Sequence, residues 1–411
     1  MPHDTDKAAP DAPTRTHHRV LVIGGGNAGL SVAGRLRRMG VDHIAVIEPR
    51  DKHVFAPMQS HIAGGTARAS LAVKSQRSVT PRGVEWIRAT VESVQPDDHT
   101  VTLTSGTHLT YDQLIVCPGI QQDWDAIDGL SAAMDSPAGV SNYTFELAKK
   151  ASRVLRHIRS GTVVFSQPPG PASCSAAAQK PMYLACDYWR ATGVLADMRV
   201  VLVVPDDTVF GIPLIDRELM RKIGEYGIEL RTQSEITSVD AEGTFVRILN
   251  HADGRIDHVL YDVLHVEPPQ SAAGWIEASG LSTREADGFV DIDPRTLQSR
   301  HHPTVWALGD AAATTNSKSG GALRMQTQTV AKNLTAALRG EAPTAIYDGY
   351  SVSPITVSRG TVVFAEFDDQ YRLKPTIPFW RGMARESRLM WLLDRHVLPW
   401  VYWHMILKGR A

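Results

Sequence analysis

One segment limits the folds open to this chain more than any other. Gly24-Gly25-Gly26-Asn27-Ala28-Gly29 directly follows the apolar run Val20-Leu21-Val22-Ile23. That run is short and β-branched, and it predicts a strand. The residues after the loop have helical spacing, and Gly40 is placed to end the helix. The stretch from Val41 to Glu48 then returns as a second strand. A G-x-G-x-x-G pattern at a strand-to-helix turn points to a dinucleotide site. Gly24 permits the tight turn, Gly26 lets backbone N–H groups approach a pyrophosphate, and Gly29 lets helix and strand pack closely. The helix N-terminus faces the phosphate charge. Glu48 closes the second strand about 20 residues on, where a carboxylate can accept both ribose hydroxyls. FAD and NAD both fit this fingerprint.

Two later segments favour FAD. Leu114-Ile115-Val116-Cys117-Pro118-Gly119 reads as a buried strand ending in a glycine, as where a chain returns beside the cofactor in two-dinucleotide flavoproteins. Thr304-Val305-Trp306-Ala307-Leu308-Gly309-Asp310 resembles the segment whose aspartate bonds the flavin's ribityl chain. Between them lies a second strand–loop–helix–strand unit that starts at Gly161. Antiparallel meanders are expected near residues 83–116 and 228–266, and a long helix from about Gly321 to Leu338.

Composition narrows the class further. Lys plus Arg number 43 against 44 Asp plus Glu, a net charge of −1, so no global basic field exists to hold nucleic acid. Three cysteines, at 117, 174 and 186, are too few for a disulfide scaffold and too scattered for a zinc set; no metal site is expected. They suggest a reducing compartment. No run of about 18 apolar residues is present to span a bilayer. Residues 1–17 lack the features of a leader and read as a disordered tail.

The second unit departs from the first at its loop. Where another glycine pattern would stand, the chain reads Gln167-Pro168-Pro169-Gly170-Pro171-Ala172-Ser173-Cys174. Prolines donate no N–H and fix φ, so this loop is poorly suited to a pyrophosphate, and hydride from NADH is disfavoured. A thiol stands there instead, close to Lys180 and to a helix expected to begin around Pro181. A cation and a helix N-terminus favour thiolate. Cys186 falls on the apolar side of that helix and is assigned to the core.

The run from Cys174 through Lys180 to Leu184 resembles the active-site segment of type II sulfide:quinone oxidoreductases, within the FAD-dependent pyridine nucleotide-disulfide oxidoreductase-like flavoproteins. Further similar segments follow in order: GVEWI at 83–87, SNY at 141–143, VFGI at 209–212, LHVEPP at 264–269, GDAAATTNSKSGGA at 309–322, YDGY at 347–350, FAEFD at 364–368 and LPWVYWHMILKG at 398–409. The resemblance implies an enzyme that uses a redox disulfide. Sulfide opens it and leaves one cysteine as a persulfide, and the other thiolate passes two electrons to FAD. The flavin reduces a quinone, and the persulfide sulfur goes to a small-molecule acceptor. On this resemblance Cys174 and Lys180 take catalytic places. Asn27, Ala28, Glu48, Val91, Asp310, Lys318, Ser319, Gly320 and Gly321 fall on cofactor-contacting positions, beside Gly24, Gly26, Gly29 and Gly119 from the residues themselves. The second cysteine of the pattern is replaced by Ser353, which can form neither a disulfide nor a persulfide; Cys117 is a conceivable substitute and Cys186 a lesser one.

From Phe379 the chain is aromatic and basic, and Trp380, Trp391, Trp400 and Trp403 are four of its nine tryptophans. Two helical segments, 383–397 and 399–408, are expected to be split by Pro399. Trp and Tyr beside Arg, Lys and His suit a bilayer interface, and the segments are too short to span it.

The expectation is therefore an α/β chain of two Rossmann-like domains with β-meanders and a C-terminal helical membrane-interface module. Residues 18–130 and 291–345 form the two parts of an FAD-binding domain, and 131–290 the inserted, degenerate NAD-type domain. Residues 346–411 form the quinone and membrane module. The expected placement is peripheral, on the cytoplasmic face of a membrane, with a homo-oligomer possible. Two rivals keep the fold: a flavin-dependent NAD(P)H- or thiol-linked quinone reductase, and a catalytically impaired FAD-binding relative.

Overall fold

The computed structural model describes residues 16–173, 176–377 and 381–411. Its centre is a seven-stranded mixed sheet. Strands His17–Ile23, Ile44–Ile47 and Val84–Ile87 run parallel, as the first glycine unit requires. His108–Val116 lies along the other side of His17–Ile23 and has two kinds of neighbour. Its first residues pair antiparallel with Thr100–Leu103, the meander strand, while Leu114–Val116 pair parallel with Val305–Ala307. The last pairing closes the sheet with a strand nearly 200 residues away in sequence. The segments that meet here, Val20–Ile23, Ile44–Ile47, Leu114–Val116 and Val305–Ala307, are continuous buried apolar runs, as expected of parallel strands covered on both faces.

A second sheet of five parallel strands has the order Gly139–Val140, Val263–Val266, Gly161–Ser166, Met198–Val203, Glu229–Arg231. The meander Ser234–Asp240, Phe245–Asn250, Ile256–Leu260 packs beside it as a separate antiparallel sheet. The architecture is thus mixed α/β with parallel and antiparallel sheets. The helix after the second loop begins at Gln179 rather than Pro181, so Lys180 sits inside its first turn and is buried. Pro181 fits there, since the first helical N–H groups have no intrahelical acceptor.

The C-terminal helices differ from the sequence expectation. Pro399 does not split two helices: Arg388–Leu392, a π-turn over Leu393–Val397 and Leu398–His404 run on without a break. The wider turn rephases the backbone just before the residue that cannot donate, so the missing N–H falls at the start of the last segment. One face of this element docks on residues 53–66. Phe55 stacks on Tyr402 with ring centroids 4.1 Å apart, and His61 Nε2 lies 3.0 Å from Asp394 Oδ2. Leu389, Leu392, Val397 and Trp400 face outward, each about half exposed. No helix among the described residues is long and apolar enough to cross a membrane.

Candidate functional site

The first glycine loop is held by backbone contacts that admit no side chain. Gly24 has φ +104°, and a Cβ there would lie 2.3 Å from the Cys117 carbonyl oxygen. A Cβ on Gly29 would lie 1.8 Å from the Gly24 carbonyl oxygen. Gly26 and Gly119 are different: a Cβ on either meets nothing within 4 Å, so both face the open space a pyrophosphate would need. Gly29→Ala should therefore destabilise the chain by roughly 3 kcal/mol or more, while Gly26→Ala leaves the unfolding temperature close to the parent's. Thermal unfolding of the two variants side by side checks this, and equal losses would remove the packing account.

Beneath the loop, Gly25 N–H donates to Glu48 Oε2 at 3.0 Å, and the Gly25 carbonyl accepts from Gln76 Nε2 at 2.9 Å. Glu48 is only 3% exposed. Burial pushes its pKa up, but Arg50 donates to Oε1 through its backbone N–H (3.0 Å) and Nε (2.7 Å). The net effect holds the carboxyl below its ordinary value. Glu48 is thus an anion at the end of its strand, ready to accept from hydroxyl groups.

A second cluster assembles around Gly309–Gly321. Strand Val305–Ala307 delivers Gly309 so close to the first loop that a Cβ would lie 3.5 Å from Ala28 Cβ. Lys318 Nζ donates to the Asp310 and Ala312 carbonyls, each at 2.9 Å, and sits 4.4 Å from the Phe289 ring centroid. Desolvation pulls the Lys318 pKa down to about 8, with Asp310 opposing. Burial raises the Asp310 carboxyl, with Lys318 and the Ser173 side chain opposing. Ser173 also pairs with Lys318 in an isolated parallel bridge. Ser319 caps helix Gly320–Ala337: its Oγ accepts from Ala322 N–H at 3.3 Å and from Val352 N–H at 3.4 Å. Gly321 presses on Val352, and Ser351 Oγ donates to the Ser317 carbonyl at 3.0 Å. Gly320 lies beside Asn27, whose Nδ2 would be 4.0 Å from a Cβ there. Residues 317–321 therefore touch the first glycine loop, the residue before Cys174 and the strand bearing Ser353.

Cys174 itself lies outside the described residues. Ser353 is fully buried in strand Ser351–Ser358 opposite Ala365, and its Oγ has no hydrogen-bond partner among the described residues. Helix Gln179–Ala191, with Lys180, packs against the same strand. Cys117 points its sulfur at the Gly24 carbonyl, 3.8 Å away, and Cys186 is fully buried in its helix. Burial drives both thiols far above the ordinary cysteine range, so each behaves as a neutral packing group. Val91 is buried at the start of strand Val91–Gln95.

Sequence reasoning passed over one further group. Glu267 follows the buried strand Val263–Val266 and is itself 0% exposed. Burial raises its pKa to about 8, against the opposing hydrogen bonds of Tyr143 and Gln270. Gln270 Nε2 donates to Glu267 Oε1 at 2.9 Å, and Gln270 Oε1 accepts from the Ser173 N–H at 3.0 Å. The signal was available, since an acid closing an apolar run is expected to be held by specific partners.

Fold and loop define a dinucleotide-binding oxidoreductase, and residues 7–162 match the sequence model of the pyridine nucleotide-disulphide oxidoreductases. The mitochondrial sulfide:quinone oxidoreductase of Mus musculus is 31% identical over 398 residues, 96% of this chain and 87% of that protein. The chain belongs to the sulfide:quinone oxidoreductase family. Its fold recurs among solved structures. The sulfide:quinone oxidoreductase of Aquifex aeolicus superposes with a TM-score of 0.80 at 19% identity, over 96% of this chain and 92% of that one. A chain of the Tetrahymena thermophila mitochondrial ATP synthase superposes with a TM-score of 0.82 at 17% identity, over 99% of each.

Proposed function

We propose that the chain is an FAD-dependent sulfide:quinone oxidoreductase that oxidises sulfide to sulfane sulfur on Cys174 and passes two electrons through FAD to a membrane quinone. The observation that carries this reading is the convergence on residues 317–321. One short segment meets the glycine loop, the neighbour of Cys174 and the Ser353 strand. FAD would be held by Gly24, Gly26, Asn27, Ala28, Gly29, Glu48, Val91, Gly119, Asp310 and Lys318–Gly321. When bound it supplies a two-electron relay between a sulfur donor and a quinone. The open faces of Gly26 and Gly119 and the anionic Glu48 suit such a ligand.

The chain's own residues set the chemistry at the sulfur side. Sulfide gives up two electrons and remains as sulfane sulfur on the Cys174 sulfur; a quinone takes two electrons and two protons. Lys180, buried in the first turn of its helix, would favour the Cys174 thiolate as a cation six residues along the chain. Ser353 occupies the second redox position without a sulfur to offer. The sheet pairings support a division into an FAD-binding domain of two parts (18–130 and 291–345) and an inserted domain (131–290). The outward row of Leu389, Leu392, Val397 and Trp400 supports 346–411 as the surface that meets the bilayer. The cytoplasmic face suits a chain with three scattered cysteines.

Sulfide should bleach the flavin of purified protein, and a soluble quinone analogue should restore its colour. Cys174→Ala should abolish both changes. Bleaching by NADH that survives Cys174→Ala would transfer the protein to the NADH-linked quinone reductases. Ser353 favours one other reading, an impaired relative, which flavin that binds but cycles with no donor would establish.

A further inference from the structure

Several arginines gather beside the outward C-terminal row, held by neutral groups rather than by carboxylates. Helix Pro57–Ala63 ends at Gly64, and the carbonyls of Gly64, Gly65 and Thr66 all accept from guanidiniums. Arg359 Nη1 donates to the Gly64 carbonyl at 3.0 Å and Nη2 to the Gly65 carbonyl at 3.2 Å. Arg395 Nε donates to the Thr66 carbonyl at 2.9 Å. A Cβ on Gly65 would lie 3.1 Å from Arg156 Cδ, so a third arginine crosses the same turn. Arg156 and Arg359 also share one ring, their Cζ atoms 5.8 and 5.4 Å from the Tyr188 centroid. Carbonyls and a ring face fix where a guanidinium points without cancelling its charge.

Two carboxylates are near, and both are engaged. Asp187 takes Arg190 at 2.6 Å and the Arg359 backbone N–H at 2.9 Å, and Asp394 lies 3.0 Å from His61. Among the described residues, none of Arg153, Arg156, Arg159, Arg359 and Arg395 forms a side-chain ion pair with an acid. Burial and then the neighbouring Arg156 pull the Arg359 pKa down, with Asp187 opposing. Positive charge is crowded here, and an anion is what would relieve it. Beyond Arg156 opens a cavity of about 280 Å³, lined by Ser152, Arg153, Arg156, His157, Arg159 and Tyr188. The three arginines are exposed at the end of helix Phe145–His157, and Arg159 Nη1 donates to the Arg156 carbonyl at 2.7 Å. Ligand cavities usually hold about 300–1,000 Å³, so this one would seat a headgroup rather than a cofactor.

We infer that Arg153, Arg156, Arg159, Arg359 and Arg395 frame a site for the phosphodiester headgroup of an anionic phospholipid. Continuity with the outward row points to a lipid. Arg395 stands in the π-turn Leu393–Val397, between Leu392 and Val397, whose side chains are about half exposed. A headgroup held here has apolar surface beside it for its acyl chains. Arginine suits the role because its planar fork meets phosphate oxygens in pairs. Basic pockets beside membrane elements are a general means of selecting acidic headgroups. The inference rests on the bilayer-facing reading of 346–411 and names the lipid which that surface selects.

Flotation of the flavin-loaded full chain with vesicles provides the test. One set is phosphatidylcholine alone, and the other is roughly a third phosphatidylglycerol, an anionic lipid. The parent should bind both and favour the anionic set by roughly 25-fold or more. Arg153→Gln with Arg156→Gln should weaken binding to the anionic set roughly 25-fold, about fivefold per arginine, and leave the neutral set unchanged. Arg153→Gln alone, at an exposed position, should cost about fivefold and serves if thermal unfolding shows the pair misfolded. Arg247→Gln with Arg284→Gln removes two exposed charges on other elements and should alter the preference by less than about twofold. Equal binding of the parent to both sets overturns the headgroup site and leaves the bilayer surface standing. A preference that both glutamine pairs reduce alike does the same. Binding to neither set removes the site and the bilayer surface together. Inorganic phosphate that raises the unfolding temperature of the parent without vesicles, and not that of the Arg153 and Arg156 pair, would assign the site to a free anion and overturn the lipid.

Discussion

Replacing Ser353 with cysteine is expected to raise sulfide turnover by roughly tenfold or more, equivalent to at least about 1.4 kcal/mol at the transition state. The serine is fully buried on a strand that meets both residues 317–321 and the helix carrying Lys180. A hydroxyl there cannot exchange with sulfur, whereas a thiol can accept or release it through thiolate attack. Structure also predicts that the exchange is tolerated. The Ser353 oxygen has no partner among the described residues, and a buried unsatisfied hydroxyl costs roughly 1–3 kcal/mol. Cysteine packs as a small hydrophobe, so Ser353→Cys should unfold at the same temperature or higher. Steady-state quinone reduction and thermal unfolding, measured together, separate the two effects. A stabilised variant with unchanged turnover would mean that another group already does this work.

The second large effect concerns pH and stability. Glu267 ionises at about 8 in the folded chain against an ordinary value of 4.5. Between those values the unfolded chain has released a proton that the folded chain still holds. Stability must therefore fall as pH rises from about 4.5 to about 8, and level off above. Full expression of the shift costs on the order of several kcal/mol, since each unit is about 1.4 kcal/mol. Glu267→Gln removes the titration and preserves the bond from Gln270. It should match the parent near pH 4.5 and exceed it increasingly up to pH 8. Denaturant midpoints across that range provide the measurement. Parallel parent and variant curves would show that this carboxyl is not linked to folding.

The two effects meet in one region of the molecule. Glu267 is linked through Gln270 to Ser173, and the strand bearing Ser353 meets residues 317–321, of which Lys318 bridges to Ser173. Both concern what the buried surroundings do to a polar atom: one is an oxygen with no hydrogen-bond partner among the described residues, the other an acid denied water. Burial likewise keeps Cys117 and Cys186 neutral.

Much of this was legible in the residues. The Gly24–Gly29 loop, its strand and helix, Glu48 and the glycine-aspartate after Thr304-Val305-Trp306-Ala307-Leu308 are local patterns. Each follows from steric or hydrogen-bonding demands within a few residues of itself. The proline-rich second loop departs from the first by composition alone, since prolines donate no N–H to a phosphate. Local reasoning misread the C-terminal element for the same reason it usually succeeds. It priced Pro399 as a break, whereas a π-turn a few residues earlier moved the missing N–H to a harmless place.

Other features belong to the tertiary structure. Val305–Ala307 joins the first sheet only because a groove remains beside Leu114–Val116 once the earlier strands have paired. The carboxyl of Glu267 is ordinary in sequence and becomes a proton-holding group only when Val263–Val266 is buried on both faces. Ser173, Lys318 and Val352 are far apart along the chain, and their contact is a consequence of packing. Sequence by itself determined which segments could hold a dinucleotide and where a thiol was available. Only the fold decided which polar atoms lose water, because desolvation depends on what lies across the chain rather than along it.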